Sequence, residues 1–330
     1  MGQGEAGHRW QGAALNDSPS ITVVVPVFNR AQVLPRAVES VLSQSFQGFE
    51  LIVVDDGSTD DTRHLAERWN DSRVRWLHQV HGGVSRARNA GLTAARGRCV
   101  VFLDSDDEAM PGWLGRIATL LSDPEVGIAT VGARVIERDS TGRIVRDEVR
   151  LPQSGDPLYA CQPLVYTAGS LATRCYLLRE IGGYLDGLAF AENSELAMRL
   201  VPACLRRGLR VAASDEPLVT YHRERDAWRS TPDRFAALRN SAELILERHG
   251  ARMRSVAPAG YANYCGVAAV NAARLGDLGA ARRHLLAGVS ALPWRAKSYL
   301  RIGLTLVPPL ARRVWRHHGS TCDPEGRWAW

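Results

Sequence analysis

Residues 21–30 read ITVVVPVFNR, a run from Ile21 to Val27 of apolar and β-branched residues that ends in Phe28, Asn29 and Arg30. A continuous run of this kind suits a strand covered on both faces, as in a parallel sheet. Val33, Leu34, Ala37, Val38, Val41 and Leu42 then recur at helical spacing and place one apolar stripe on a helix that crosses back over the sheet. The pattern repeats. ELIVVDD (Glu50–Asp56) is a second strand, and Ser58 is expected to cap a helix from about Thr59 to Trp69, with Asp61 completing a capping box. VRWLHQ (Val74–Gln79) is a third strand, Ser85 to Ala95 a third helix, and RCVVFLD (Arg98–Asp104) a fourth strand. Strands alternating with helices of this length form right-handed βαβ units, so the predicted class is α/β, a mostly parallel sheet with flanking helices.

After Pro111 the pattern changes. A helix carrying Leu114, Ile117 and Leu121 leads to two strands, VGIATVGARVIE and RIVRDEVRL, that flank the turn Asp139–Gly142 as a hairpin. Helices around Tyr176–Ile181 and Ser194–Arg206 and a short strand near Arg210–Ala213 follow, and from Pro232 onward the chain reads as helical. Residues 261–293 carry a small-residue helix, a Gly-Asp turn, a second helix and a closing proline, the pattern of one tetratricopeptide-like hairpin. The expected organisation is a polar tail over 1–20, a sheet domain over 21–231 and an all-α region over 232–330.

The 330 residues, 45% hydrophobic and 23% charged, are ordinary for a globular chain and exclude collagen-like or wholly disordered classes. Six cysteines without a C-x-x-C pair argue against a zinc ribbon or a disulfide framework and for a reducing, cytoplasmic setting. The first twenty residues lack the apolar core of an export signal, and no run is long and apolar enough to span a bilayer. Residues 1–200 carry 20 Arg against 25 acids, whereas 201–330 carry 21 Lys and Arg against 10 acids. The basic part lacks the aromatic interleaving of a nucleic-acid groove, so no nucleic-acid partner is expected. From Trp294 on, with Arg301, Arg312, Arg313, Trp315, Arg316, His317 and His318, the chain could contact the inner face of an anionic membrane or simply pack as a terminal helix.

In an open parallel sheet, ligands gather beyond the carboxyl ends of the strands. The first strand ends in Pro26-Val27-Phe28-Asn29-Arg30 without glycine, which excludes a G-x-G-x-x-G dinucleotide turn, and no P-loop occurs. The second ends in Asp55-Asp56-Gly57 and the fourth in Asp104-Ser105-Asp106-Asp107. Each acidic cluster alone is ordinary turn chemistry. Together they put five carboxylates on one edge, a repulsive arrangement that a hard divalent cation bridging to substrate phosphates would relieve. Arg86 and Arg88, in the first turn of the third helix, add positive charge where helix amides already favour an anion.

These residues carry a resemblance. PVFNR, VLSQS, VVDDGSTDDT, GVSRARNAG and FLDSDDEAMPGWL follow, in order, the pattern of the inverting GT-A glycosyltransferases of family 2, closely over Ile21–Leu114 and loosely over Ala168–His222. The resemblance implies a GT-A fold, a nucleotide-diphosphate-sugar donor, and Mn²⁺ or Mg²⁺ held by Asp106 with Asp104. It places Pro26, Phe28 and Asp56 around the base, Arg88 near the nucleotide and Asp104 toward ribose and sugar; Asn29 and Asp55 lie at the same strand ends, and Arg86 in the helix turn beside Arg88. Arg223 or Arg225, in the loop HRER after His222, is a candidate for the diphosphate.

At one position the chain departs from the family. Members usually open the helix after the Gly-Gly turn with Glu-Asp, the Asp serving as general base, whereas here the residues are Glu192-Asn193. An amide cannot take a proton. Three readings stay open: Glu192 or Glu195 replaces the base; the acceptor is as acidic as a thiol and needs little help; or the chain is a degenerate member that binds nucleotide sugar or a partner without efficient transfer. The acceptor, whether glycan, lipid, small molecule or peptide, is unidentified. Some family members with helical-repeat appendages resemble peptide S-glycosyltransferases, so a peptide acceptor stays open. A nucleotidyltransferase would need a glycine-rich, lysine-bearing turn after the first strand, and none is present.

Overall fold

The computed structural model describes residues 19–306 apart from 163, 166, 225–230 and 295. The tail over 1–18, Arg225 and the residues after 306 lie outside the described residues. Four strands, β1 (Ile21–Val27), β2 (Phe49–Asp55), β3 (Val74–His78) and β4 (Cys99–Phe102), pair in parallel in the order β3-β2-β1-β4. Beyond β4 the directions alternate. β8 (Leu171–Arg174) is antiparallel to β4 and to β6 (Val126–Arg138), β9 (Arg210–Glu224) is parallel to β6, and β5 (Glu108–Ala109) closes the edge against β9. β7 (Ile144–Arg150) pairs with β6 across the expected hairpin turn. The sheet is therefore mixed, because parallel pairing ends where the βαβ crossovers end.

Alternate residues of β1 explain the two layers of core. Val23, Val25 and Val27 pack with α1 (Leu34–Leu42) and α3 (Trp113–Leu121), while Val24 faces α2 (Val84–Ala94) and α5 (Glu192–Arg206) on the other side. α4 (Cys175–Glu180) and α6 (Pro232–Val256) join that second layer, α6 through Ile245 and Met253. α7 (Pro258–Arg274) and α8 (Leu278–Ala291) pack through small residues such as Ala272, Ala273, Ala280 and Ala281. Asp277 caps α8 by accepting from the Ala280 amide at 2.8 Å. α9 (Ala296–Thr305) follows.

Two local expectations change. In place of an α-helix capped by Ser58 there is a 3-10 helix, Asp61–Glu67, capped by Asp60, because the Ser58 hydroxyl already accepts from the Asn29 amide at 2.9 Å. The short strand expected at Arg210–Ala213 runs on for 15 residues. Pro217 is tolerated within it because the register against β6 shifts beside Gly132.

Candidate active site

The strand order reverses direction at β1 and β4, so a crevice opens beyond their carboxyl ends. β1 delivers Phe28 and Asn29 there. Pro26 itself is buried in β1, beyond the last residue that pairs with β4, where its missing N–H costs no ladder bond on that side. Asn29 adopts a left-handed φ of 52°, and its Oδ1 accepts from the Thr59 and Asp60 amides at 2.7 and 3.3 Å. This stitches the loop after β1 to the loop after β2. The Phe28 ring stacks on His81, with centroids 4.0 Å apart and planes 27° from parallel.

The acidic pair after β2 is used by the chain itself. Asp55 accepts from the Ser58 amide at 2.9 Å and pairs with His78 Nδ1 at 3.1 Å. Asp56 Oδ1 accepts from Gln79 Nε2 at 2.6 Å and the Gly82 amide at 2.9 Å, and its Oδ2 takes the Gly83 amide at 2.8 Å and His81 Nδ1 at 2.9 Å. Three donors from residues 79–83 thus converge on this carboxylate, and His81 Nδ1 lies within 3.1 Å of the Asp56 carbonyl as well. Asp56 therefore fixes residues 79–83, and through His81 the ring that stacks on Phe28. Asp56→Ala is expected to leave those partly buried donors without their acceptor and to destabilise the fold by about 1–3 kcal/mol. Urea unfolding checks this, and an unchanged midpoint would refute the assignment.

The cluster after β4 is different. Asp104 and Asp106 are about one-third exposed, at 33% and 34% of their side chains, and Asp107 is buried. Arg88, buried at the start of α2, donates from Nη2 to Asp104 Oδ1 at 2.6 Å, while its Nε and Nη1 have no partner among the described residues. Burial opposes its charge, but Asp104, Tyr184 and Glu192 outweigh that and hold it firmly protonated. Arg30 Nη1 lies 3.0 Å from Asp106 Oδ2, and Arg36 donates to the Asp106 carbonyl. Burial and the neighbouring carboxylate of Asp104 raise Asp106, and burial with Asp104 and Asp106 raises Asp107 well above the usual carboxylate range. Arg30, Arg36 and Arg88 are close by, yet Asp106 and Asp107 remain raised. Among the described residues no three His, Cys, Asp or Glu stand together as a metal cage. The two partly exposed carboxylates of Asp104 and Asp106 supply hard oxygen donors and fit a divalent ion that completes its shell with ligand phosphates and water.

Arg86 is exposed on the first turn of α2 and lies against Gly82. Arg223, near the end of β9, is partly buried; burial and the nearby Arg150 and Arg146 lower its pKa, with Asp107 acting the other way.

At the opposite wall, Ala191 turns the chain with φ of 60° into α5 and brings Glu192 toward Arg88 and Asp104. Burial raises the Glu192 carboxyl while Arg88 pulls it back. Asn193 Oδ1 accepts from the Tyr184 hydroxyl at 2.8 Å. Glu195 does not reach the site. It is fully buried and salt-bridged to Arg199 at 2.6 Å and to His249 of α6 at 2.9 Å.

Two residues escaped the motif reading. Tyr184 lies under Arg88, whose guanidinium carbon is 4.9 Å from the ring centroid, and Asn89 bonds twice to the Tyr184 backbone, donating to its carbonyl at 2.9 Å and accepting from its amide at 2.8 Å. Gly183 permits this approach, since a Cβ there would sit 2.4 Å from Asn89 Oδ1. The signals were the Asn of SRARNAG and the Tyr after Gly182-Gly183. A small cleft lined by Phe102, Thr167, Ala168, Tyr184 and Asn193 lies beside this wall.

A mixed sheet with flanking helices, an acidic strand end and an arginine at the switch point defines a GT-A architecture. Residues 22–182 match the family described as Glycosyl transferase family 2, and this segment is a domain of that family. Its sequence is 38% identical over 126 residues to the GalNAc(5)-diNAcBac-PP-undecaprenol beta-1,3-glucosyltransferase of Campylobacter jejuni, covering 37% of this chain and 40% of that protein. Alignments with the curated relatives span between 13% and 43% of those proteins' lengths. Among solved structures, S. aureus TarS 1–349 in complex with UDP-GlcNAc superposes with a TM-score of 0.57 at 19% identity, over 94% of this chain and 95% of that one. The mannosyltransferase PcManGT from Pyrobaculum calidifontis, in complex with GDP-Man and Mn²⁺, gives 0.52 at 20% identity, over 92% and 89%. At these identities the likeness speaks for the fold.

Proposed function

We propose that the chain transfers a sugar from a nucleotide-diphosphate-sugar donor to a nucleophilic acceptor with inversion at the anomeric carbon, assisted by Mn²⁺ or Mg²⁺ at Asp104 and Asp106. The observation that carries this reading is the crowding of Asp104, Asp106 and Asp107 beside the buried cation of Arg88, which raises the Asp106 and Asp107 carboxyls even with Arg30 and Arg36 close by. A diphosphate cannot approach such an edge without a cation to share. The ion, when bound, supplies charge neutralisation for the departing diphosphate. The complexes of the structural neighbours with UDP-GlcNAc and with GDP-Man and Mn²⁺ support the donor class.

The chain's own residues then divide the work. The stacked pair of Phe28 and His81 offers a face to the nucleotide base, with Pro26, Asn29, Asp55 and Asp56 fixing the loops that hold it. Arg86, Arg88 and Arg223 supply positive charge toward the diphosphate, Arg88 with two N–H groups unspent. Glu192 takes the acceptor proton, since Asn193 cannot and Glu195 is engaged elsewhere. Four buried, unpaired cysteines, Cys99, Cys175, Cys204 and Cys265, fit a reducing cytoplasmic compartment.

Calorimetry with UDP tests the metal role. Affinity should rise at least about tenfold when Mn²⁺ is present, and Asp106→Ala should abolish that gain while leaving the metal-free affinity in place. Equal affinity with and without Mn²⁺ would remove the metal from the reading.

A further inference from the structure

α9 is amphipathic in the unexpected sense. Its inward stripe is polar: Arg301 is 9% exposed and approaches Gly266 of α7, and Thr305 is fully buried, with Arg282 of α8 donating to its hydroxyl at 3.1 Å and to its carbonyl at 2.6 Å. Its outward stripe is apolar. Tyr299 is 50% exposed and Leu300 69% on the helix, with exposed Gly303 following them, and Leu306, directly after the helix, is 64% exposed. Trp294, just before the helix, is 78% exposed. Large apolar side chains facing water on one stripe mark a contact surface.

Charge identifies what the surface contacts. From Leu278 to Cys322 the chain has no Asp or Glu and eight Lys and Arg: Arg282, Arg283, Arg295, Lys297, Arg301, Arg312, Arg313 and Arg316. Arg282 and Arg301 face inward, but the segment as a whole carries charge of one sign, which a second copy would share, and a nucleic acid offers no apolar phase for Leu300 and Leu306. A lipid surface with anionic headgroups offers both an apolar phase and a negative potential, and Trp and Tyr suit its boundary. We propose that the outward stripe of α9, with Trp294, docks this protein onto an anionic membrane surface as an interfacial helix. No described helix is long and apolar enough to cross a membrane, so the attachment is to one face.

The test is co-sedimentation of the full chain with vesicles of phosphatidylcholine alone or with about 30% phosphatidylglycerol, independently of any donor or acceptor. Wild type should bind the anionic vesicles about tenfold more strongly than the neutral ones, and binding should weaken in about 0.5 M salt. Leu300→Glu combined with Leu306→Glu should lower binding about tenfold with an unchanged thermal midpoint, since both side chains face solvent. Three results overturn the proposal: no preference of wild type for anionic vesicles, binding unaffected by the double substitution, or a dimer dispersed by it without vesicle binding, which would assign the face to a second copy. UDP binding by the same double variant, expected unchanged, separates this outcome from any failure of the transferase reading.

Discussion

Glu192→Gln lowers the turnover of the nucleotide-sugar donor by about 10²–10⁴ while UDP affinity stays at the wild-type level. The expectation follows by elimination among three side chains. Asn193 has no proton-accepting oxygen of carboxylate strength, and its amide oxygen is already bonded to Tyr184. Glu195 is locked between Arg199 and His249. Glu192 alone faces Arg88 and Asp104 at the opening of α5. An alcohol is far too weak an acid to ionise unaided near neutral pH, and so is water, so the loss should appear both in transfer and in slow donor hydrolysis. Release of UDP from a panel of UDP-sugars, measured beside calorimetry of UDP itself, gives the answer without knowledge of the acceptor. Turnover unchanged at equal UDP affinity would take the base role away from Glu192. If the acceptor is a thiol, hydrolysis should still fall while transfer falls little and climbs with pH as the thiolate fraction grows.

Glu195→Ala should destabilise the fold by about 3–5 kcal/mol, because removing one member of a buried ion pair leaves its partners uncompensated. Burial alone would raise the Glu195 carboxyl, but hydrogen bonds from His249 and Arg199 outweigh it and hold the group below its ordinary value of 4.5. A depressed folded value means that this contribution is present in full above the ordinary value and is lost as pH falls through the lower folded one. Urea midpoints of wild type and variant should therefore lie far apart at neutral pH and draw together as the pH falls below the ordinary value of 4.5. A gap that stayed constant as the acid limb is crossed would show that packing, and not the ion pair, is responsible. The substitution also separates the two glutamates, since the hydrolysis assay above should change only through the folded fraction.

The strand ends were readable from the sequence because each follows its strand directly. ITVVVPV, ELIVVDD and RCVVFLD announce parallel strands, and whatever comes next must stand at the crevice. The uses to which those residues are put were less readable, because their partners come from far along the chain. Asp56 accepts from residues 79–83, which become its neighbours only once β3 pairs with β2. Glu195 meets His249 only because α6 folds back onto α5, 54 residues later. The length of β9 was hidden by Asp215, Glu216 and Pro217, which read as a break until Gly132 in the partner strand supplies the irregularity that admits them. Pattern reveals elements; the competition for a carboxylate's few acceptor positions is decided by tertiary structure.

The two hydrogen bonds between Asn89 and the backbone of Tyr184 have a mechanical consequence. They act as a rivet joining the start of α2, which carries Arg88, to the turn that leads into α5, which carries Glu192 and Asn193. Both bonds end on main-chain atoms, so they persist whatever side chain occupies position 184. The wall that holds the cation and the wall that holds the carboxylate therefore travel as one plate, and the spacing between leaving-group charge and incoming nucleophile is set once, at folding. Any give needed to admit a substrate must come from segments outside that plate.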